Sequence, residues 1–184
     1  MASLKGGIYL IASVAGPAAE RILEVQREYD PRMAREWPPH VTLAGSSGMG
    51  PIAPDTKVGE LRERLAPIAA ETPPMSLPFG PPIRFMQTNV VVLPLDPHGP
   101  LRALHERIKL SGLRFDPPRH SFTPHCTLSF YPELTAERAR ELLRVRVTEP
   151  AEIGAIEAWY TSPNRTGKKL LHLDLTGSPP PARC

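Results

Sequence analysis

Cysteine is scarce in this chain. Cys126 lies in an apolar stretch, Cys184 is the last residue, and there is no third among the 184 positions. Two thiols so placed form no disulfide framework, which excludes the small stapled domains of secreted proteins; free thiols in a reducing, cytoplasmic setting are expected. Long apolar runs are missing too, since none approaches the roughly 20 residues that a membrane-crossing helix requires. No membrane partner is expected. Lys5 followed by the apolar run Gly6 to Val14 has the outline of a secretory leader, but one positive charge is too few, and the run serves better as a first strand. Net charge is small as well: 22 basic against 19 acidic side chains leave +3, which signals only mild attraction to polyanions.

What is abundant is proline, with 24 residues, beside a hydrophobic content of 41%. That is the composition of a globular chain with many rigid loops. Its length suits one well-packed domain or two small lobes sharing a core.

The most informative feature is a short stretch that occurs twice. Pro39-His40-Val41-Thr42-Leu43 returns 85 residues later as Pro124-His125-Cys126-Thr127-Leu128. Successive side chains of a strand point to opposite faces, so His40 and Thr42 share one face, and Val41 and Leu43 the other. His125 and Thr127 share a face in the same way, opposite Cys126 and Leu128. Each strand can bury an apolar side while presenting an imidazole and a hydroxyl. One histidine on a half-buried strand is ordinarily structural; two with the same proline, threonine and leucine offsets point to a site.

In chain order, Ile8 to Val14 reads as a strand, and Pro17 opens a helix to about Tyr29 that Asp30-Pro31 stops. A loop through Trp37-Pro38-Pro39 leads to the first motif. Gly45 to Pro54 is a loop, and Asp55 is placed to cap a helix with the core stripe Val58, Leu61, Leu65, Ile68. A short strand at Met75 to Leu77 is followed by strands at Ile83 to Met86 and Asn89 to Leu95. A helix from Leu101 puts Leu104 and Ile108 on one face, with His105 expected to be exposed, as is His98 in the turn before it. After the second motif come a helix from Glu133 to about Leu143, strands at Ile153 to Thr161 and Lys169 to Leu175, and a Pro-rich tail from 177 to 184 expected to be disordered. Strand, helix, motif strand, helix thus occurs twice. The expected fold is α+β, a single bilobal domain over 1–176 with half-repeats at about 7–80 and 81–176. The two lobes are related by a pseudo-twofold axis, each an antiparallel sheet with helices outside, and the motif strands line a central cleft.

At this point the sequence resembles the two-histidine (2H) phosphoesterase superfamily, whose mark is a pair of His-x-Thr/Ser-x motifs on the central strands of two related lobes. The motif residues here are His40, Thr42, His125 and Thr127. The resemblance implies phosphodiester chemistry, as in bacterial 2',5'-RNA ligases, which are also RNA 2',3'-cyclic phosphodiesterases, and in small cyclic phosphodiesterases. Ser129-Phe130-Tyr131-Pro132 stands where the ligase branch commonly carries an arginine, and Ala44-Gly45-Ser46-Ser47-Gly48 where it carries bulky apolar residues. The match is therefore nearer the small cyclic phosphodiesterase branch.

Opening a cyclic phosphate needs a base for water, an acid for the leaving ribose oxygen, and donors for the nonbridging oxygens. Histidine, with an ordinary pKa near 6.5, serves either proton-transfer role, and the two threonines would donate hydroxyl hydrogen bonds to the phosphate. No metal or other cofactor is expected. A metal on His40 and His125 is the competing use, but no further ligand stands at suitable spacing beside either motif. Phe130, Tyr131 and Tyr160 are candidates for stacking on a base, and Arg165, with Lys168 and Lys169, for attracting phosphate. The expected function is hydrolysis of a 2',3'-cyclic or related ribose cyclic phosphate, on a nucleotide or RNA end, to a monoester by a monomeric enzyme. The rivals are a 2',5'-RNA ligase or 2',5'-phosphodiesterase and a noncatalytic RNA- or nucleotide-binding module.

Overall fold

The computed structural model describes residues 6–86, 88–162 and 167–179. The chain opens with β1 (Gly7–Ala15) and turns into α1 (Gly16–Tyr29). Gly16 makes that turn at φ +71, a left-handed conformation that costs glycine little; Pro17 then sits in the first helical turn, where its missing N–H has no bond to lose. A second helix, α2 (Pro31–Glu36), follows before β2 (His40–Ala44), and α3 (Val58–Glu71) precedes the short β3 (Met75–Leu77). The second half begins with β4 (Ile83–Arg84) and β5 (Val91–Pro94), then α4 (Pro100–Lys109) and β6 (His125–Ser129). It ends with α5 (Ala136–Arg144), β7 (Ala151–Thr161) and β8 (Gly167–Asp174).

All eight strands belong to one sheet, ordered β3-β7-β1-β2-β6-β5-β4 with β8 also paired to β7, and every pairing is antiparallel. The motif strands β2 and β6 are neighbours at its centre. Each has its own partner outward, β1 for β2 and β5 for β6, which gives the pseudo-twofold arrangement. The two long strands from the end of the chain, β7 and β8, complete the sheet beside β1, so the sheet's halves are not simply the first and second halves of the sequence. β2 and β6 meet at one registered pair, Val41 with Cys126.

Helices cover one face. Ile8, Leu10, Val41, Leu43 and Ile156 join Leu61 and Leu65 of α3 and Leu101, Leu104 and Ile108 of α4 in the larger core. Ile22 and Val25 of α1 and Leu142 of α5 pack on Val91, Leu93, Cys126 and Leu128. Each such side chain contributes about 1.5–3 kcal/mol on leaving water. The buried Cys126 thiol has its pKa pushed up to about 12, chiefly by burial, so it packs as an apolar group.

Several expectations are corrected. Asp30 ends α1 but also starts α2, its Oδ1 accepting from the Met33 N–H at 3.1 Å. Val58 is 41% exposed and lies off the core stripe; Asp55 does not cap α3, which starts after Lys57, and instead pairs with Arg114 at 2.8 Å. His105 is buried at 1% exposure. At the start of the 177–184 tail the Gly177 N–H donates to Thr72 O at 3.0 Å, and residues 180–184 lie outside the described residues.

Candidate active site

The pairing of Val41 with Cys126 fixes the motif geometry. In an antiparallel ladder the residues on either side of that pair face each other, so His40 lies across from Thr127, and Thr42 across from His125. All four are partly exposed while Val41, Leu43, Cys126 and Leu128 are buried. They form a square on the face that the helices leave open, with cross-strand Cβ spacing of about 4.5–5.5 Å.

The repeated proline also finds its reason. The Val14 N–H donates to Pro39 O at 2.9 Å, and the Leu95 N–H to Pro124 O at 3.2 Å, so each prolyl carbonyl is held by the neighbouring outer strand. The residue before a proline is pushed to an extended conformation, and its carbonyl turns to the imidazole. His40 Nδ1 lies 2.7 Å from Pro38 O, and His125 Nδ1 lies 2.6 Å from Thr123 O. A carbonyl can only accept, so Nδ1 carries the proton in both rings, and both present Nε2 to the open face.

Around this common plan the two sides differ. His40 packs against Trp37 at 5.5 Å between ring centroids, and Trp37 against Trp159 at 5.3 Å. His125 meets the ring of Phe85 edge-on at 5.1 Å. Burial lowers the pKa of both histidines; for His40 the charge of His125 adds to the lowering, while the Pro38 carbonyl and the negative charge of Glu157 oppose it. Glu157 is 5% exposed and lies across from Ile11, which pairs in turn with Thr42. Its carboxylate accepts from Trp159 Nε1 at 2.8 Å, Lys169 Nζ at 2.8 Å and His172 Nδ1 at 2.9 Å. Burial pushes Glu157 up, but these three donors outweigh it and hold it below the usual carboxylate range. His172 is raised by its bonds to Glu157 and to Asp174.

The other candidates from the sequence scatter. Phe130 and Tyr131 lie just beyond β6 and pack on each other edge-on; the Tyr131 hydroxyl donates to Glu36 at 3.1 Å and its ring carries the Arg32 guanidinium, which ties it to α2. Tyr160 pairs with Ile8 and packs on the helix-side core, and its neighbour Trp159 is the aromatic on the motif side. Arg165 lies outside the described residues. Phe85, Glu157 and His172 escaped the sequence reading because each comes from a different strand or loop with no local motif, and Trp37 was read only as part of the loop leading to the first motif. Among the described residues no group of three or more His, Cys, Asp or Glu side chains converges to hold a metal ion.

Comparison with known proteins bears on this arrangement. The model of the 2'-5' RNA ligase superfamily matches residues 14–165, a stretch that includes both motifs. The chain belongs to that superfamily. A Geobacillus sp. (strain WCH70) protein, provisionally named a phosphoesterase, is 33% identical over 129 residues, 68% of each chain. Among solved members of similar fold, TT0787 of Thermus thermophilus aligns with a TM-score of 0.62 at 17% identity, covering 92% of this chain and 98% of that one. LigT of E. coli, crystallised with phosphate, aligns at 0.54 and 17% identity over 95% of this chain and 99% of its own; LigT was also crystallised with 3'-AMP. At these identities the likeness shows the fold alone.

Proposed function

We propose that the protein is a phosphodiesterase that opens a 2',3'-cyclic or related ribose cyclic phosphate, on a nucleotide or an RNA end, to a phosphomonoester without a metal. The observation that carries this reading is the paired square: two imidazoles whose Nδ1–H is held by a carbonyl and whose Nε2 has no hydrogen-bond partner among the described residues, each across from a threonine hydroxyl. Phosphorus placed over the square has a histidine on either side, the geometry of in-line displacement. One neutral histidine takes a proton from water as the water oxygen bonds to phosphorus. The opposite bond to a ribose oxygen breaks, and the second histidine, protonated, gives that oxygen its proton. Thr42 and Thr127 donate to the nonbridging oxygens as charge moves onto them. That LigT, which shares this fold, was crystallised with phosphate and with 3'-AMP is consistent with a phosphate-bearing ligand.

The superfamily's name favours one second reading, in which a ribose 5'-hydroxyl replaces water as nucleophile and the product is a 2',5' linkage. The deciding experiment follows turnover of nucleoside 2',3'-cyclic phosphates, ADP-ribose cyclic phosphate and cyclic-phosphate-ended RNA in the presence of chelator. Chelator-resistant hydrolysis that disappears in the His40→Ala/His125→Ala protein is the expected result; folded wild-type protein inactive on every substrate would overturn the reading.

A further inference from the structure

The motif chemistry leaves unused a second group of basic side chains at the end of the sheet. Where β2 ends, the loop over residues 45–50 runs beside the loop over 114–120. The Arg119 and His120 N–H groups donate to Ser46 O at 3.0 and 3.2 Å, and the Gly48 N–H to His120 O at 2.8 Å. Between these loops and α4 lies a pocket of about 420 Å3 whose lining includes Arg102, His105, Glu106, Lys109, Arg119 and His120.

His105 is the built part of this pocket. Only 1% exposed, it donates from Nδ1 to Leu43 O at 3.0 Å and stacks on Phe122 at 3.8 Å with the rings 10° from parallel. Gly48, at φ +73, leaves room for the ring, which any Cβ there would strike. Nε2 lies against Gly48 in the pocket wall. Its nearest carboxylate oxygen, on Glu106, stands 3.8 Å away, beyond hydrogen-bond distance. Arg102 is equally preorganised, with Nε on Pro97 O at 2.7 Å and Nη2 on Phe122 O at 3.0 Å. Carbonyls hold its guanidinium without neutralising it. Among the described residues, no carboxylate forms an ion pair with Arg102, Lys109 or Arg119. Three uncompensated cations against one glutamate make the pocket electropositive.

We propose that this pocket binds a phosphate group, distinct from the one that reacts between His40 and His125. Guanidinium forks and an ammonium are the donors that phosphate oxygens select. The pocket is joined to both motif strands: His105 holds the carbonyl of Leu43, next after Thr42, and Arg102 holds the carbonyl of Phe122, three residues before His125. The phosphate is either a phosphodiester further along an RNA strand whose end occupies the active site, or the phosphate of a free nucleotide. Only the first of these rests on the function proposed above.

The test needs no turnover. The His105 ring resonances are followed by NMR in the His40→Ala/His125→Ala protein during titration with inorganic phosphate and, separately, with an RNA trinucleotide. The expected result is a saturable shift whose affinity falls roughly tenfold or more when Lys109→Gln and Arg119→Gln are added, because hydrogen bonds from charged donors are lost. Arg140→Gln with Arg144→Gln, two exposed positions of α5, removes the same charge and leaves the shift intact. A response to the trinucleotide alone assigns the pocket to a strand phosphate, and a response to phosphate alone assigns it to a free one. No saturable shift with either probe, or equal weakening by the α5 pair, overturns the proposal, and neither result touches the cyclic phosphodiesterase reading.

Discussion

The two motif strands apply one backbone device in two surroundings. On both sides a proline carbonyl is taken by the outer strand and the preceding carbonyl fixes the imidazole. His40 then stands against an indole wall with the Glu157 charge acting on it, whereas His125 stands against the edge of Phe85, and burial dominates its titration. Duplication supplies geometric symmetry, but acid and base must differ in charge at the same moment. Two equal histidines would titrate as one coupled pair; here burial lowers both, and the Glu157 carboxylate acts on His40, so the two are electrostatically unequal.

The sharpest way to break the comparison is to remove each imidazole. His40→Ala and His125→Ala should each lower kcat by about a hundred- to ten-thousand-fold, with the double variant little worse than the weaker single, because the pair acts as a unit. Circular dichroism checks that the fold persists, and undiminished turnover in either single variant would remove that histidine from the mechanism. Next in size come the hydroxyls. Thr42→Val and Thr127→Val should each cost about a hundredfold in kcat, with Ser restoring most of it; losses that differ by more than tenfold would show that the cross-strand square is not functionally symmetric.

A subtler probe sharpens the electrostatic difference. The Glu157 charge raises the His40 pKa, so Glu157→Gln should lower it, leaving His125 nearly unmoved. If His40 is the base, the acid limb of the pH–rate profile moves to lower pH; if it is the acid, the alkaline limb does. The limb that moves names the role, and a profile with neither limb displaced would contradict the assigned influence. The smallest effect is on stability. Burial depresses His40, His105 and His125 in the folded state, so the unfolded chain binds more protons below its ordinary histidine pKa of about 6.5, and stability falls as pH drops through that range. His172, raised by Glu157, acts in the opposite sense. Urea midpoints should therefore fall between pH 7 and pH 5, and His125→Ala should flatten the slope.

Much of this was legible in the chain. The motif faces follow from period-two alternation alone, and the paired occurrence picked out the four side chains that β2 and β6 bring together. His105 was misplaced although its spacing from Leu101, Leu104 and Ile108 puts it on the same helical stripe; its polarity outweighed its position. The choice between Trp159 and Tyr160 was harder, because β7 is buried without interruption from 155 to 158 and shifts register against β1 and β8. A bulge reverses which residues face the site, and only the partner strands reveal it. Helix α2 was missed because Asp-Pro reads as a stop, when here it joins two helices. The placing of β7 and β8 beside β1 is a long-range choice that no local pattern encodes.

Asp30 itself has a further consequence. Besides capping α2, its Oδ2 accepts from the Phe130 and Tyr131 N–H groups at 2.7 and 2.9 Å, and the residue is 1% exposed. A turn between two early helices is thus completed by amides a hundred positions later. Such a carboxylate cannot be buried at acceptable cost until β6 has docked. The α1–α2 corner and the exit of the second motif therefore complete each other's hydrogen bonding, and a fragment that stops short of residue 130 would lack the partners that Asp30 requires.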